Sequence, residues 1–118
     1  MNLDSLETLL SSHRYRFSSE RDLQNGIDEV LQTSGLSYRR EFSLGVSDRP
    51  DFLVHGGIAI EVKIKGSISE LIRQISRYAT HNDVSAILVV GTPHWIPRVP
   101  EIINEKPVRP FRLLGSLL

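Results

Sequence analysis

The sequence predicts an α/β protein in which helices flank a mixed β-sheet. Three observations indicate this class: apolar residues at helical spacing in three segments, an alternating strand beside a pair of glycines, and a wholly apolar strand near residue 88. Because that last strand follows a helix, it is expected to lie parallel to the strand before the helix. The predicted order is helix, helix, three strands, helix, strand.

Two helices are predicted before the first strand. Leucines within residues 3–10 give the first helix an apolar face, and Ser11 stands near its end. Ser19 and Asp22 fit a capping box that starts the second helix, which is predicted to run to about Thr33. The predicted buried stripe of this second helix consists of Leu23, Ile27, Val30 and Leu31.

A three-strand meander is predicted to follow. Its first strand covers residues 38–44, a turn covers 45–49, and the second strand begins at Asp51 and contains Phe52-Leu53-Val54. The loop His55-Gly56-Gly57 supplies the glycines that a tight hairpin needs for positive φ angles. The third strand, residues 58–64, alternates apolar residues with Ala59, Glu61 and Lys63.

The register of this hairpin brings two carboxylates together. A three-residue loop pairs Val54 with Ile58. The same register then puts Asp51 opposite Glu61, with Cβ atoms about 5 Å apart, and Lys63 on the same face as Glu61. Two carboxylates so close repel each other unless a cation lies between them, and oxygen ligands suit Mg²⁺ or Mn²⁺. The sequence therefore predicts a metal-dependent phosphodiesterase site.

The remaining elements complete the predicted sheet. Ser67 and Glu70 fit a capping box for a helix from Ile68 to about Thr80, and residues 85–91 form a strand buried on both faces. The segment 92–118 contains five prolines and is predicted to be irregular. Its end offers a short strand or a short helix, which the sequence does not distinguish, at Phe111, Leu113 and Leu114.

Composition limits the classes of function. A chain of 118 residues is expected to form one domain, with a core at about residues 18–91, an N-terminal helix within 1–17 and the proline-rich extension 92–118. The 14 basic and 14 acidic side chains balance, so a tight nonspecific nucleic-acid binder is not expected. The absence of cysteine excludes disulfides and thiolate zinc sites. Without a long apolar run or a signal peptide, the protein is expected to be cytoplasmic and not membrane-bound.

These residues in this order resemble the PD-(D/E)XK nuclease superfamily. Pro50-Asp51 is similar to the PD element, and Glu61-Val62-Lys63 is similar to the (D/E)XK element. The common core of that superfamily is the restriction-endonuclease-like order α-β-β-β-α-β. Gln74 and Tyr78 resemble the Q-x-x-x-Y motif of the RecB and lambda-exonuclease branch. Glu20 resembles the first-helix glutamate of many members, including archaeal Holliday-junction resolvases.

The resemblance implies a Mg²⁺- or Mn²⁺-dependent deoxyribonuclease that hydrolyses phosphodiester bonds. Asp51, Glu61, Glu20 and the carbonyl of Val62 would hold the metal. Lys63 would orient or help deprotonate the attacking water, although it could instead be a simple salt-bridge partner of Glu61. For Glu20 the alternative is a carboxylate that only favours the helix N-terminus.

Further residues are candidates for contact with the site or with DNA. Gln74 would hydrogen-bond in the site and Tyr78 would pack or contact DNA, although both could merely flank a helix core. Lys65 shares a face with Lys63 and is a second basic candidate. Arg14 and Arg16 would bind phosphates, with a linker of extended surface arginines as the alternative.

The favoured activity is that of an endonuclease on structured or branched DNA. A nuclease core without a separate recognition domain must read shape, or borrow specificity from a partner protein. Junction cleavage would require a homodimer, for which the leucine-bearing first helix is a candidate interface. A phage or mobile element is the expected setting. An exonuclease of the same family, and a non-catalytic DNA-binding or assembly module on the same fold, remain open.

Overall fold

A computed structural model describes residues 1–114. Its six strands form one mixed sheet in the order β1-β2-β3-β4-β6-β5, with three helices packed against it, so the predicted α/β class and mixed sheet are confirmed. The helices are α1 (Leu3–Ser11), α2 (Glu20–Thr33) and α3 (Ile68–Tyr78), and the strands are β1 (Tyr38–Arg40), β2 (Phe52–Val54), β3 (Ile58–Lys63), β4 (Ala86–Gly91), β5 (Ile102–Ile103) and β6 (Lys106–Arg112).

The predicted starts of α2 and α3 are confirmed by their caps. The hydroxyl of Ser19 accepts from the backbone N–H of Asp22 at 3.0 Å, and that of Ser67 accepts from Glu70 N–H at 3.2 Å. Neither start is a full capping box, because the Asp22 carboxylate accepts from Ser18 and the Glu70 carboxylate accepts from the Ser67 hydroxyl.

The β2–β3 hairpin has the predicted register. Val54 pairs with Ile58, and Gly57 N–H donates to the Val54 carbonyl at 2.9 Å. Gly56 and Gly57 have φ angles of 98° and 89°, which favour glycine. A Cβ atom at position 57 would also collide with the backbone carbonyl of Asp83. Both the positive φ angle and this close contact therefore require glycine at this position of the turn.

The central strand is β4, which is fully buried and parallel to both of its neighbours, β3 and β6. The predicted parallel crossover through α3 is therefore correct. One face of the sheet is covered by α1 and α2, and the other by α3 and the short 3-10 turn Ile96–Arg98. Large apolar side chains bury both faces, among them Leu6, Leu23, Phe52, Ile60 and Leu88 on the first and Leu71, Ile75, Ile87 and Val89 on the second.

Two strand predictions were wrong in extent. The first strand ends at Arg40 instead of residue 44, because Glu41 has a φ of 54° and turns the chain out of the sheet. The segment 102–112 is not irregular, since it forms β5 and β6. Leu113 and Leu114 lie beyond β6, and residues 115–118 of the predicted extension lie outside the described residues.

Pro110 is compatible with β6 because its nitrogen, which has no hydrogen to donate, faces away from β4. Val108 N–H donates away from β4, to the carbonyl of Glu101, whereas Leu113 N–H donates to Gly91 of β4. Backbone directions alternate along a strand, so the nitrogen of Pro110 faces the side away from β4. The parallel ladder with β4 therefore loses no hydrogen bond at Pro110.

The leucine-bearing face of α1 packs against the sheet of the same chain. Leu6 and Leu10 are fully buried in the core that covers the sheet, and Arg109 of β6 holds the helix through ion pairs with Asp4 at 2.9 Å and Glu7 at 2.7 Å. The reason for assigning this face to a dimer interface therefore no longer applies. Among the described residues, no helix combines the length and the apolar character needed to cross a bilayer.

Leu10→Ala should lower the free energy of unfolding by about 2–5 kcal/mol, because it removes a fully buried side chain and leaves a cavity. Leu9→Ala, at a partly exposed position on the same helix, should cost clearly less. Urea denaturation at two protein concentrations measures both. A loss that depends on protein concentration would instead place the Leu10 side chain in an interface between chains.

Candidate functional site

Glu61 is the one charged side chain that is buried among residues 1–114, with 3% of its surface exposed. It lies on β3, on the face covered by α3. The Tyr78 hydroxyl donates to its Oε1 at 2.9 Å, and the Lys63 ammonium lies 3.6 Å from its Oε2. The predicted placement of Glu61 and Lys63 on one face is confirmed by this ion pair.

Asp51 lies where β2 begins and reaches across to β3. Continuing the register by one position from Phe52 and Ile60 sets Asp51 level with Glu61, as predicted. The Asp51 Oδ2 accepts from the backbone N–H of Val62 at 2.7 Å. This short, charge-assisted bond fixes one carboxylate oxygen beside the strand that carries Glu61.

The carbonyl of Val62 faces the same side as this N–H. In an antiparallel ladder, a residue directs its N–H and its C=O toward the same neighbour. The residue that would pair with Val62 in the continued register is Pro50, which has no N–H to donate. The ladder cannot supply a donor to the Val62 carbonyl from that position, so this oxygen is suited to a cation near Asp51.

Burial and mutual repulsion shape the charge of the pair. Desolvation raises the pKa of Glu61, and the nearby Asp51 carboxylate raises it further. The pKa of Asp51 is also raised, chiefly by burial and then by Glu20, while the N–H of Val62 opposes that shift. Lys63 lowers the pKa of both carboxyl groups, but it is one positive charge beside two carboxylates.

Residues at the start of α2 complete the acidic side of the site. Glu20, the first residue of the helix, lies close enough to Asp51 for its charge to raise the pKa of Asp51. Gln24, one turn later, lies close enough to Asp51 to lower that pKa. Gln24 was not among the predicted site residues, although a polar side chain at the edge of an apolar helix stripe was a usable signal.

Tyr78 holds Glu61 from α3. It is buried, and its hydroxyl lies 2.9 Å from Glu61 Oε1 and 3.3 Å from the carbonyl of Arg49. Of the two roles predicted for Tyr78, this burial favours packing over contact with nucleic acid, because its ring and hydroxyl lie inside the core. Gln74, one turn before it on α3, lies close enough to Tyr78 to lower its pKa.

The three predicted basic contacts lie in two places. Lys65 is exposed in the loop that follows β3, two residues after Lys63. Arg14 and Arg16 are exposed and line a surface cavity of about 550 Å³ with Gly26, Glu29 and Thr33 of α2. Helical periodicity places those three positions on the flank of α2 away from Glu20 and Gln24. Arg14 and Arg16 are therefore not brought to the carboxylate pair.

The donor set fits a hard divalent cation. Asp51, Glu61 and the Val62 carbonyl offer oxygen atoms only, and their side of the sheet carries excess negative charge. No group of three or more histidine, aspartate or glutamate side chains that could hold a metal was found within residues 1–114. Mg²⁺ does not require such a group, because it commonly takes one or two carboxylates and fills its shell with water and phosphate oxygen.

Comparisons of the chain with family models, with curated proteins and with solved structures found no match.

Glu61→Gln should change how stability depends on pH. A carboxyl group whose pKa is raised by folding holds a proton that the unfolded chain has released, so its effect on the folded state becomes less favourable as pH rises. The free energy of unfolding of the variant minus that of the wild type should therefore increase between about pH 5 and pH 8. Urea denaturation across this range measures it. Glu29→Gln, at an exposed carboxylate on α2, is the control, and an equal trend there would contradict the assignment.

Proposed function

We propose that this chain is a Mg²⁺- or Mn²⁺-dependent deoxyribonuclease with a restriction-endonuclease-like core of the PD-(D/E)XK type. One observation carries the proposal: Asp51 and Glu61 lie level on adjacent strands, with Lys63 paired to Glu61 on the same face. The order α2-β1-β2-β3-α3-β4 supports it, since it matches the helix, meander, helix and strand of that core.

The chain supplies distinct groups for phosphodiester hydrolysis. Asp51, Glu61 and the Val62 carbonyl would hold the cation, with Glu20 contributing negative charge beside Asp51. A bound divalent cation lowers the pKa of water and offsets negative charge on the phosphate. Lys63, with its side chain one quarter exposed, orients or helps deprotonate the attacking water and stabilises charge in the transition state.

Tyr78 and Gln74 position the metal-binding carboxylate. The Tyr78 hydroxyl restrains one oxygen of Glu61, and the ion pair with Lys63 orients the other. A preorganised group loses less freedom when the reaction begins, so both contacts favour the rate without touching substrate. In this chain the Q-x-x-x-Y spacing places Tyr78 against Glu61, with Gln74 one helical turn before it.

The proposed substrate is structured or branched DNA, cut internally in the cytoplasm. A single α/β core of this kind would recognise the shape of its substrate, form a homodimer or use a partner protein. Cleavage from ends is the alternative. Supercoiled plasmid, linear duplex, single strand and a four-way junction distinguish these activities, because only an internal cutter acts on closed circular plasmid.

Lys63→Ala should lower metal-dependent DNA cleavage about 10²- to 10⁴-fold, the range for loss of a positioned acid or base. The fold should persist, because the Lys63 side chain is partly exposed at the end of β3. Arg39→Ala is the control: it removes an exposed cation from β1 and should leave the rate unchanged. Cleavage that is equal in both variants would remove Lys63 from the mechanism.

Mg²⁺ or Mn²⁺ should raise the thermal midpoint of the wild type at about pH 8, because a cation bound only to the folded state stabilises it. The rise should be much smaller in Asp51→Asn and absent in Glu61→Gln, which lose carboxylate charge with little change in shape. Differential scanning fluorimetry in metal or EDTA measures it. An equal rise in all three proteins would place the metal elsewhere.

A further inference from the structure

Three parallel strands end in one row beside the proposed site. Lys63 at the end of β3 pairs with Gly91 of β4, and Gly91 pairs with Arg112 of β6. Residues in register face the same side of a sheet, so Arg112 shares the face of Lys63. Two strand spacings separate their Cα atoms by about 10 Å. Asp51 lies on the opposite side of Lys63, toward β2.

Hydrogen bonds join these strand ends into a continuous ledge, formed by residues 63–66, 91–95 and 111–113. Thr92 N–H donates to the Lys63 carbonyl at 3.1 Å, and the Trp95 indole donates to the Gly66 carbonyl at 3.1 Å. On the other side, Arg112 Nε donates to the Thr92 carbonyl at 3.2 Å. The ledge therefore holds its exposed side chains at defined positions relative to Lys63.

The ledge is cationic. Its three segments contain Lys63, Lys65, His94 and Arg112, and no aspartate or glutamate. Arg112 is exposed, and its bond to Thr92 uses only Nε. Among residues 1–114, no carboxylate forms an ion pair with Arg112, whereas Arg109 on the same strand is held by two. The guanidinium of Arg112 is therefore positioned to bind an anion from solvent.

We propose that Arg112 binds a backbone phosphate of a polynucleotide at a position distinct from the phosphate attacked beside Lys63. This inference rests on the proposed function and names the class of substrate. The Lys63 ammonium is held toward Glu61 and Arg112 Nε toward the Thr92 carbonyl, on residues whose Cα atoms lie about 10 Å apart. The two cations are therefore suited to separate phosphates of one chain. Ligands commonly bind outside the carboxyl ends of parallel strands, which is where the ledge lies.

Binding and its salt dependence test the ledge directly. A fluorescent duplex oligonucleotide is titrated in Ca²⁺ at several salt concentrations with wild type, Arg112→Ala, Arg112→Lys and Arg39→Ala. Loss of one phosphate contact should weaken binding about tenfold and reduce the slope of log affinity against log salt by about 1. Arg112→Lys should keep the wild-type slope because it retains the charge, and Arg39→Ala should match the wild type.

A kinetic comparison separates binding of a polymer from damage to the site. With Mn²⁺, Arg112→Ala should raise KM for the oligonucleotide about tenfold and leave its kcat unchanged. The rate on bis(4-nitrophenyl) phosphate, which has no second phosphate to contact Arg112, should equal that of the wild type. Thermal midpoints within error of the wild type would show that the variant is folded.

Each arm can overturn the inference by itself. Wild-type affinity and salt slope in Arg112→Ala would remove Arg112 from the nucleic-acid interface, whatever the enzyme cuts. Equal losses on the oligonucleotide and on the small diester would make Arg112 a structural residue. Failure of the proposed function would give a different result. The wild type would then hydrolyse neither the oligonucleotide nor the small diester with Mg²⁺ or Mn²⁺. The binding titrations would still show whether the ledge contacts phosphate.

Discussion

The buried carboxylate of Glu61 is the constraint around which this part of the molecule is organised. An ionised carboxylate without partners costs several kcal/mol in an apolar interior. The Tyr78 hydroxyl and the Lys63 ammonium offset that cost, and the raised pKa shows that burial still favours the protonated form. A hydroxyl from α3 and a cation at the end of β3 thus both serve this one group.

Local chemistry made the central features predictable. The two glycines after Val54 allow one tight hairpin, and its register brings Asp51 level with Glu61. Serine caps fixed the starts of α2 and α3, since each satisfies a backbone donor that the helix leaves free. The carboxylate pair and the lysine beside it could therefore be predicted from spacing alone.

Other features depend on contacts between distant segments. Tyr78 has the helical spacing of a flanking residue, and only the packing of α3 against β3 brings its hydroxyl to Glu61. The strand β6 contains two prolines, which argue against a strand until the neighbour on each side is known. The pattern of α2 marks Gln24 as a polar residue beside the buried stripe, but only the packing of α2 on the sheet brings it near Asp51.

Pro50 has two effects on the backbone before Asp51. A proline in such a place usually opens a turn, but here it also stands where the β2–β3 ladder would gain its next rung. A residue with a backbone N–H at position 50 would allow β2 and β3 to pair further. That backbone pairing would compete with the Asp51 side chain for the N–H of Val62. The proline thus keeps the N–H and the carbonyl of Val62 out of further sheet pairing, and the N–H bonds to a side chain, that of Asp51, instead.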